Sequence, residues 1–134
     1  AGSSPGPVCY GLGGKKPTCT DADLILGYLS PRFFAGGRMT LDYDKAHQAI
    51  EEQIAKPLKM SVTEAAAGMY HVINVNMAAG IKEISVKKGE DPREYPLVCA
   101  GGAGPIHAAL IALELEIPKI LIPKESSIFC AAGM

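Results

Sequence analysis

The sequence has almost no excess charge of either sign: 13 basic residues stand against 14 acidic ones, a formal net charge of −1. That balance leaves no electrostatic footprint for nucleic acid or an anionic lipid surface, so neither is an expected partner. No apolar run is long enough to span a bilayer. The opening Ala1-Gly2-Ser3-Ser4-Pro5-Gly6-Pro7 lacks the apolar stretch of a secretory signal. A cytoplasmic location with reduced thiols is the expectation. The four cysteines, Cys9, Cys19, Cys99 and Cys130, include no Cys-x-x-Cys pair, so no zinc site is expected. There is no internal repeat and no low-complexity segment.

What is present suits one globular domain with a real core: 134 residues, 48% hydrophobic and 20% charged. The chain opens in a Gly/Pro segment and stops at Ala131-Ala132-Gly133-Met134, just after an apolar run. Neither end is expected to be a natural domain edge. Residues 7–10 and 17–20 are two β-compatible runs around Gly11-Leu12-Gly13-Gly14, which predicts a hairpin or tight loop. Cys9 and Cys19 would then face each other as two small buried side chains, with a redox pair as the alternative. Thr20 or Asp21 caps a short helix over 22–29, ended by Ser30-Pro31. Gly36-Gly37 is a turn. Residues 44–56 form an amphipathic helix with Ala46, Ala49, Ile50 and Ile54 on one face.

Ser61-Val62-Thr63-Glu64 is a capping box. The helix after it runs over 62–88, stopped by Gly89. Its apolar stripe is Val62, Ala65, Ala66, Met69, Val72, Ile73, Met77, Gly80, Ile81 and Ile84. Gly68 and Gly80 either permit close helix packing or mark a break. At ~1.5 Å per residue the helix is about 40 Å long, more than a small domain readily covers. Asp91-Pro92-Arg93 is a turn. A strand over 97–100, a helix over 105–114 and a strand over 120–123 then make a βαβ unit with a right-handed crossover.

Between the first of these strands and its helix lies Gly101-Gly102-Ala103-Gly104, with Pro105 next at the first helical position. Such a turn lets a flat ligand or a phosphate approach the backbone. Spacing alone favours a tight βα corner, because the pattern is neither the dinucleotide fingerprint nor a P-loop. His107 is expected to pack or cap. Asp21 and Asp23 fall in a helical first turn, where carboxylates are favourable; Asp21 is also the weak catalytic candidate, if it points into a cleft. Arg38 is a loop arginine or an anion ligand. His47 and His71 have no second ligand at metal spacing.

Five segments occur together and in order: Pro5-Gly6-Pro7-Val8-Cys9-Tyr10-Gly11; Pro17-Thr18-Cys19-Thr20-Asp21-Ala22-Asp23-Leu24-Ile25-Leu26-Gly27; Gly36-Gly37-Arg38-Met39-Thr40-Leu41-Asp42; Asp91-Pro92-Arg93; and Gly101-Gly102-Ala103-Gly104-Pro105-Ile106-His107-Ala108. In this combination the whole chain resembles the hydantoinase A / 5-oxoprolinase family, whose relatives include the ATP-binding subunits of acetone and acetophenone carboxylases. Cys19 replaces an aliphatic residue of the pattern and Asp23 a frequent asparagine.

The resemblance implies an α/β fold: a partial actin-like, sugar-kinase-like (ribonuclease H-like) ATPase subdomain with a long helix and a C-terminal βαβ unit. Residues 1–134 would be a single C-terminal portion of that ATPase domain. Gly101, Gly102 and Gly104 would line the adenosine of ATP. The family's phosphate-binding turns, Asp-x-Gly-Gly-Thr, occur nowhere in the 134 residues, so the ligands of Mg and the β- and γ-phosphates are expected from elsewhere. The resemblance implies a part or a small subunit of an ATP-dependent amide-ring hydrolase, inactive alone. Its partner would be a larger hydantoinase A-type chain or the remaining part of the same protein, with a hydantoinase B-type subunit as a further candidate. The alternatives are a non-catalytic structural subunit of an ATP-dependent ketone carboxylase complex, and a free-standing α/β protein with an unrelated ligand.

Overall fold

The computed structural model describes residues 2–132. The chain is α/β, mostly helical, with one two-stranded parallel sheet among the described residues. It divides into two compact units, Ala1–His71 and Val72–Met134. No helix among the described residues is long and apolar enough to cross a membrane.

The first unit begins with a 3-10 turn, Val8–Tyr10, and continues into helix α1, Cys19–Ile25. Of the two expected forms, the segment takes the tight loop and not the hairpin. The Asp21 carboxylate accepts the Val8 and Cys9 N–H groups, donors that a hairpin ladder would have used. Close backbone packing also shapes this loop: a Cβ on Gly14 would sit 2.2 Å from the Gly6 carbonyl oxygen. The cap of α1 is Thr18, not Thr20 or Asp21; Asp21 is the fourth member of a Thr18/Asp21 capping box. The turn at 36–37 is a left-handed one, with Gly36 and Gly37 at φ of 69° and 81°.

Helix α2 spans Tyr43–Ile50, runs through a π-helical turn at Glu51–Ala55, and continues into α3, Lys56–Leu58. The predicted apolar face is the buried one: Ala46 and Ile50 have no exposed surface and Ala49 little. Ile50 and Ala55 pack with Ala22 of α1 and with Ala65 and Ala66. A second cluster joins Cys9, Leu24, Leu41 and Ala46.

Helix α4 spans Val62–Lys88, as its spacing predicts. Ser61 and Glu64 exchange the capping-box bonds at 2.8 and 3.2 Å, and Gly89 ends the helix at a φ of 72°. The two units meet in sequence within this helix. Its buried positions are Ala65, Ala66, Tyr70, Asn74 and Ala78. Val72 and Ile84, expected on the apolar stripe, are 59% and 60% exposed. The burial runs in steps of four (66, 70, 74, 78), so a face chosen by hydrophobicity alone passes over Tyr70 and Asn74. Gly68 and Gly80 neither break the helix nor receive a neighbour: a Cβ on either would meet nothing within 4 Å.

In the second unit, strands β1, Leu97–Val98, and β2, Ile120–Leu121, pair in parallel around helix α5, Gly104–Glu114. The strands are shorter than predicted because Gly101, at a φ of 88°, turns β1 out of the ladder and Pro123 has no N–H to continue it. Ile111, Ala112, Leu115 and Ile117 pack on Ala78 of α4. A short helix, α6, Phe129–Ala132, ends the described chain.

Ile50→Ala is expected to lower stability by about 3 kcal/mol, because the site is fully enclosed by helices and cannot readily collapse. Val72→Ala, on an exposed position, should change it by less than about 0.5 kcal/mol. Urea denaturation of both variants checks the contrast.

Candidate functional site

The glycine turn stands where β1 leaves the sheet. Cys99 N–H donates to the Leu121 carbonyl at 2.9 Å, and Gly101 N–H donates to the Ser126 carbonyl at 2.7 Å. The turn is thus pinned to the segment after β2. Of the three glycines, only Gly101 is required by its backbone. Gly101 has a left-handed backbone that L side chains rarely adopt. A Cβ on Gly104 would touch Cys99 Cβ at an ordinary 3.8 Å. Gly102 has neither a left-handed φ nor any neighbour within 4 Å of a built Cβ, and it is exposed. Its backbone is open to an approaching group. Ala103 caps α5 without a side-chain bond, and Pro105 stands in the first turn. His107 lies half-buried in that first turn.

Asp21 stands elsewhere, in the first unit, with no exposed surface. Its carboxylate accepts from Val8 N–H at 3.2 Å, Cys9 N–H at 2.7 Å, Thr18 N–H at 2.8 Å and Thr18 Oγ1 at 2.9 Å. These bonds make it a tether between the 3-10 turn and α1, with no face left open to a substrate. Burial, and then the hydrogen bond to Asp21 and its charge, push the Cys9 thiol up to about 12. Burial and the charge of Asp23 also raise Cys19. Cys9, Cys19 and Cys99 are free thiols, so Cys9 and Cys19 are not a disulfide. Cys130 has a side chain outside the described residues.

Arg38 is exposed on its loop, and His71 is exposed on α4. His47 lies 4.0 Å from Glu51. Among the described residues, no three His, Cys, Asp or Glu side chains gather as metal ligands.

A separate cleft of about 570 Å³ in the second unit is lined by Lys82, Glu90, Asp91, Arg93, Glu114 and Glu116, among others. Arg93 bonds Asp91 at 2.7 Å and lies 3.7 Å from Glu116. Its hydrogen bonds hold the Asp91 carboxyl down at about 2. The cleft does not include the glycine turn. Sequence reasoning missed it because Glu116 reaches Arg93 only through a left-handed backbone (φ 55°) past the end of α5. It also missed Ser126, whose contact with Gly101 spans 25 residues and leaves no local signal.

The family model for hydantoinase/oxoprolinase matches residues 1–134. Over 133 residues the chain is 47% identical to the acetophenone carboxylase gamma subunit of Aromatoleum aromaticum, covering 99% of this chain and 18% of that one. It superposes on the ATP-dependent caprolactamase of Pseudomonas jessenii with a TM-score of 0.90 and 46% identity, over 99% of this chain and 19% of that one. Nucleotide-free acetone carboxylase, from ATP-dependent acetone carboxylation, gives 0.86 and 33% identity over 95% of this chain and 18% of its own. The chain therefore spans less than a fifth of the length of these relatives.

Asp21→Ala should cost about 3–5 kcal/mol, since it strands buried N–H donors. Asp21→Asn should cost less, because one carbonyl acceptor remains. Thermal unfolding measures both; a variant as stable as the parent would mean that the tether is not structural. The raised Cys9 thiol adds stability that is fully present below the ordinary thiol value of 9.0 and is lost as pH rises toward about 12. Cys9→Ala should flatten that alkaline loss in a pH series of melting curves.

Proposed function

The chain belongs to the hydantoinase/oxoprolinase family, and we propose that it forms part of an ATP-dependent enzyme of that type, carrying the adenosine end of the nucleotide site. The observation that carries this reading is Gly102: an exposed glycine that neither backbone conformation nor packing requires, at the carboxyl edge of two parallel strands. Open α/β sheets bind ligands at that edge. Gly101 turns the chain, Gly102 leaves room for a flat ring or ribose, and Gly104 follows at the start of α5. The residues present fit an adenosine, and on this reading residues 1–134 are the C-terminal portion of an actin-like ATPase domain.

Bound ATP supplies a phosphoryl group that activates an otherwise unreactive substrate. This chain's part is to hold and orient the adenosine and to keep the turn rigid through the Gly101–Ser126 bond. The ligands of Mg and of the β- and γ-phosphates belong to a larger hydantoinase A-type chain or to the rest of the same protein, because no Asp-x-Gly-Gly-Thr turn occurs in this sequence. A B-type subunit is the expected further partner. The reaction we favour is opening of a cyclic amide, in keeping with the likeness to caprolactamase. The second reading, a structural subunit of a ketone carboxylase, has the 47% identity to an acetophenone carboxylase subunit in its favour. The open Gly102 argues for nucleotide binding in either setting.

Gly102→Arg fills the open space with a long side chain, and should weaken ATP binding by about 100-fold. The exposed position should leave the unfolding midpoint nearly unchanged. Isothermal titration of ATP into the intact protein tests this. Unchanged affinity would remove the turn from the nucleotide site. Residues 1–134 alone should show no ATP turnover.

A further inference from the structure

Beyond the glycine turn, the path of β2 out of the sheet adds a second wall to the same edge. A parallel ladder advances two residues at a time, and here Leu97 N–H bonds the Lys119 carbonyl and Cys99 N–H the Leu121 carbonyl, each at 2.9 Å. The next donor, Gly101, would reach Pro123 by the same step. It bonds Ser126 instead, at 2.7 Å. Residues 123–125 are therefore looped out of the ladder, and Ser126 N–H closes the loop on the Pro123 carbonyl at 3.0 Å. That is a four-residue turn with Lys124 and Glu125 at its two central positions. Both are exposed, and neither joins an ion pair among the described residues.

The insertion places Glu125, an exposed acidic residue, in the turn past the carboxyl ends of both strands, one residue from the bond that pins the glycine turn. A carboxylate there would repel a phosphate group. It matches a vicinal diol, whose two hydroxyls both donate to it. We propose that the 123–126 turn is the ribose-facing wall of the nucleotide site, and that the Glu125 carboxylate accepts from the ribose hydroxyls. It is a specificity residue that selects a ribonucleotide over its 2′-deoxy analogue. This inference rests on the nucleotide reading of the glycine turn.

The test compares ATP with 2′-deoxy-ATP by isothermal titration into the intact protein and its Glu125→Ala, Glu125→Gln and Gly102→Arg variants. The unmodified protein should prefer ATP by about tenfold or more, the worth of a hydrogen bond to a charged group. Glu125→Ala should bind ATP only as well as 2′-deoxy-ATP, with an unchanged unfolding midpoint, and Glu125→Gln should keep part of the preference. An equal affinity for both nucleotides in the unmodified protein, or the original preference in Glu125→Ala, overturns the proposal while leaving the glycine-turn reading intact. Failure of the unmodified protein to bind either nucleotide overturns both. Loss of both nucleotides in Gly102→Arg, together with a selective loss in Glu125→Ala, supports both.

Discussion

The first unit depends on one buried carboxylate. Asp21 has no exposed surface and would be costly there if unpaired, yet three backbone N–H groups and one hydroxyl converge on it. Those bonds fasten the 3-10 turn at Val8–Tyr10 to the start of α1. The consequences propagate along the chain. With the turn in place, the Cys9 carbonyl accepts the Asp42 N–H at 2.8 Å. Asp42 in turn caps α2 through Lys45 N–H at 3.0 Å. Helix α2 then delivers Ile50 into the cluster with Ala22, Ala65 and Ala66. One charged side chain thus connects a loop, two helix starts and the core beneath them.

The second unit depends on a break in regularity. Its ladder holds for two residues on each strand, and then Gly101 and Pro123 end it from opposite sides. Past the ladder, a glycine turn and a four-residue turn are pinned together by the Gly101–Ser126 bond. Backbone otherwise consumed by a sheet is released at the edge where parallel strands commonly hold ligands.

Much of the fold is legible in the sequence. The Ser61/Glu64 capping box and Gly89 delimit α4, because caps act within a few residues. The order strand, helix, strand is set by the apolar runs and Pro105. Chemistry that acts across distance is less legible. Residues 7–10 have strand-forming types, but a carboxylate 12 and 13 residues away takes their N–H groups. Val72 has the right hydrophobicity for the buried stripe, whereas burial goes to Tyr70 and Asn74. Local pattern cannot rank a tyrosine above a valine when the neighbours that decide it come from another part of the chain.

The sequence by itself determined the long helix, the glycine turn and the family resemblance, since each rests on residues adjacent in the chain or in fixed order along it. Tertiary structure alone decided what Asp21 does, which glycine of the turn stands open, and that the turn after β2 meets the one after β1. The reason is the same in each case. A hydrogen bond between residues 12 or 25 positions apart is set by how the backbone packs, and side-chain identity only permits it. The Gly101–Ser126 bond joins a backbone N–H, which every residue but proline has, to a carbonyl, which every residue has, so nothing in the letters marks it.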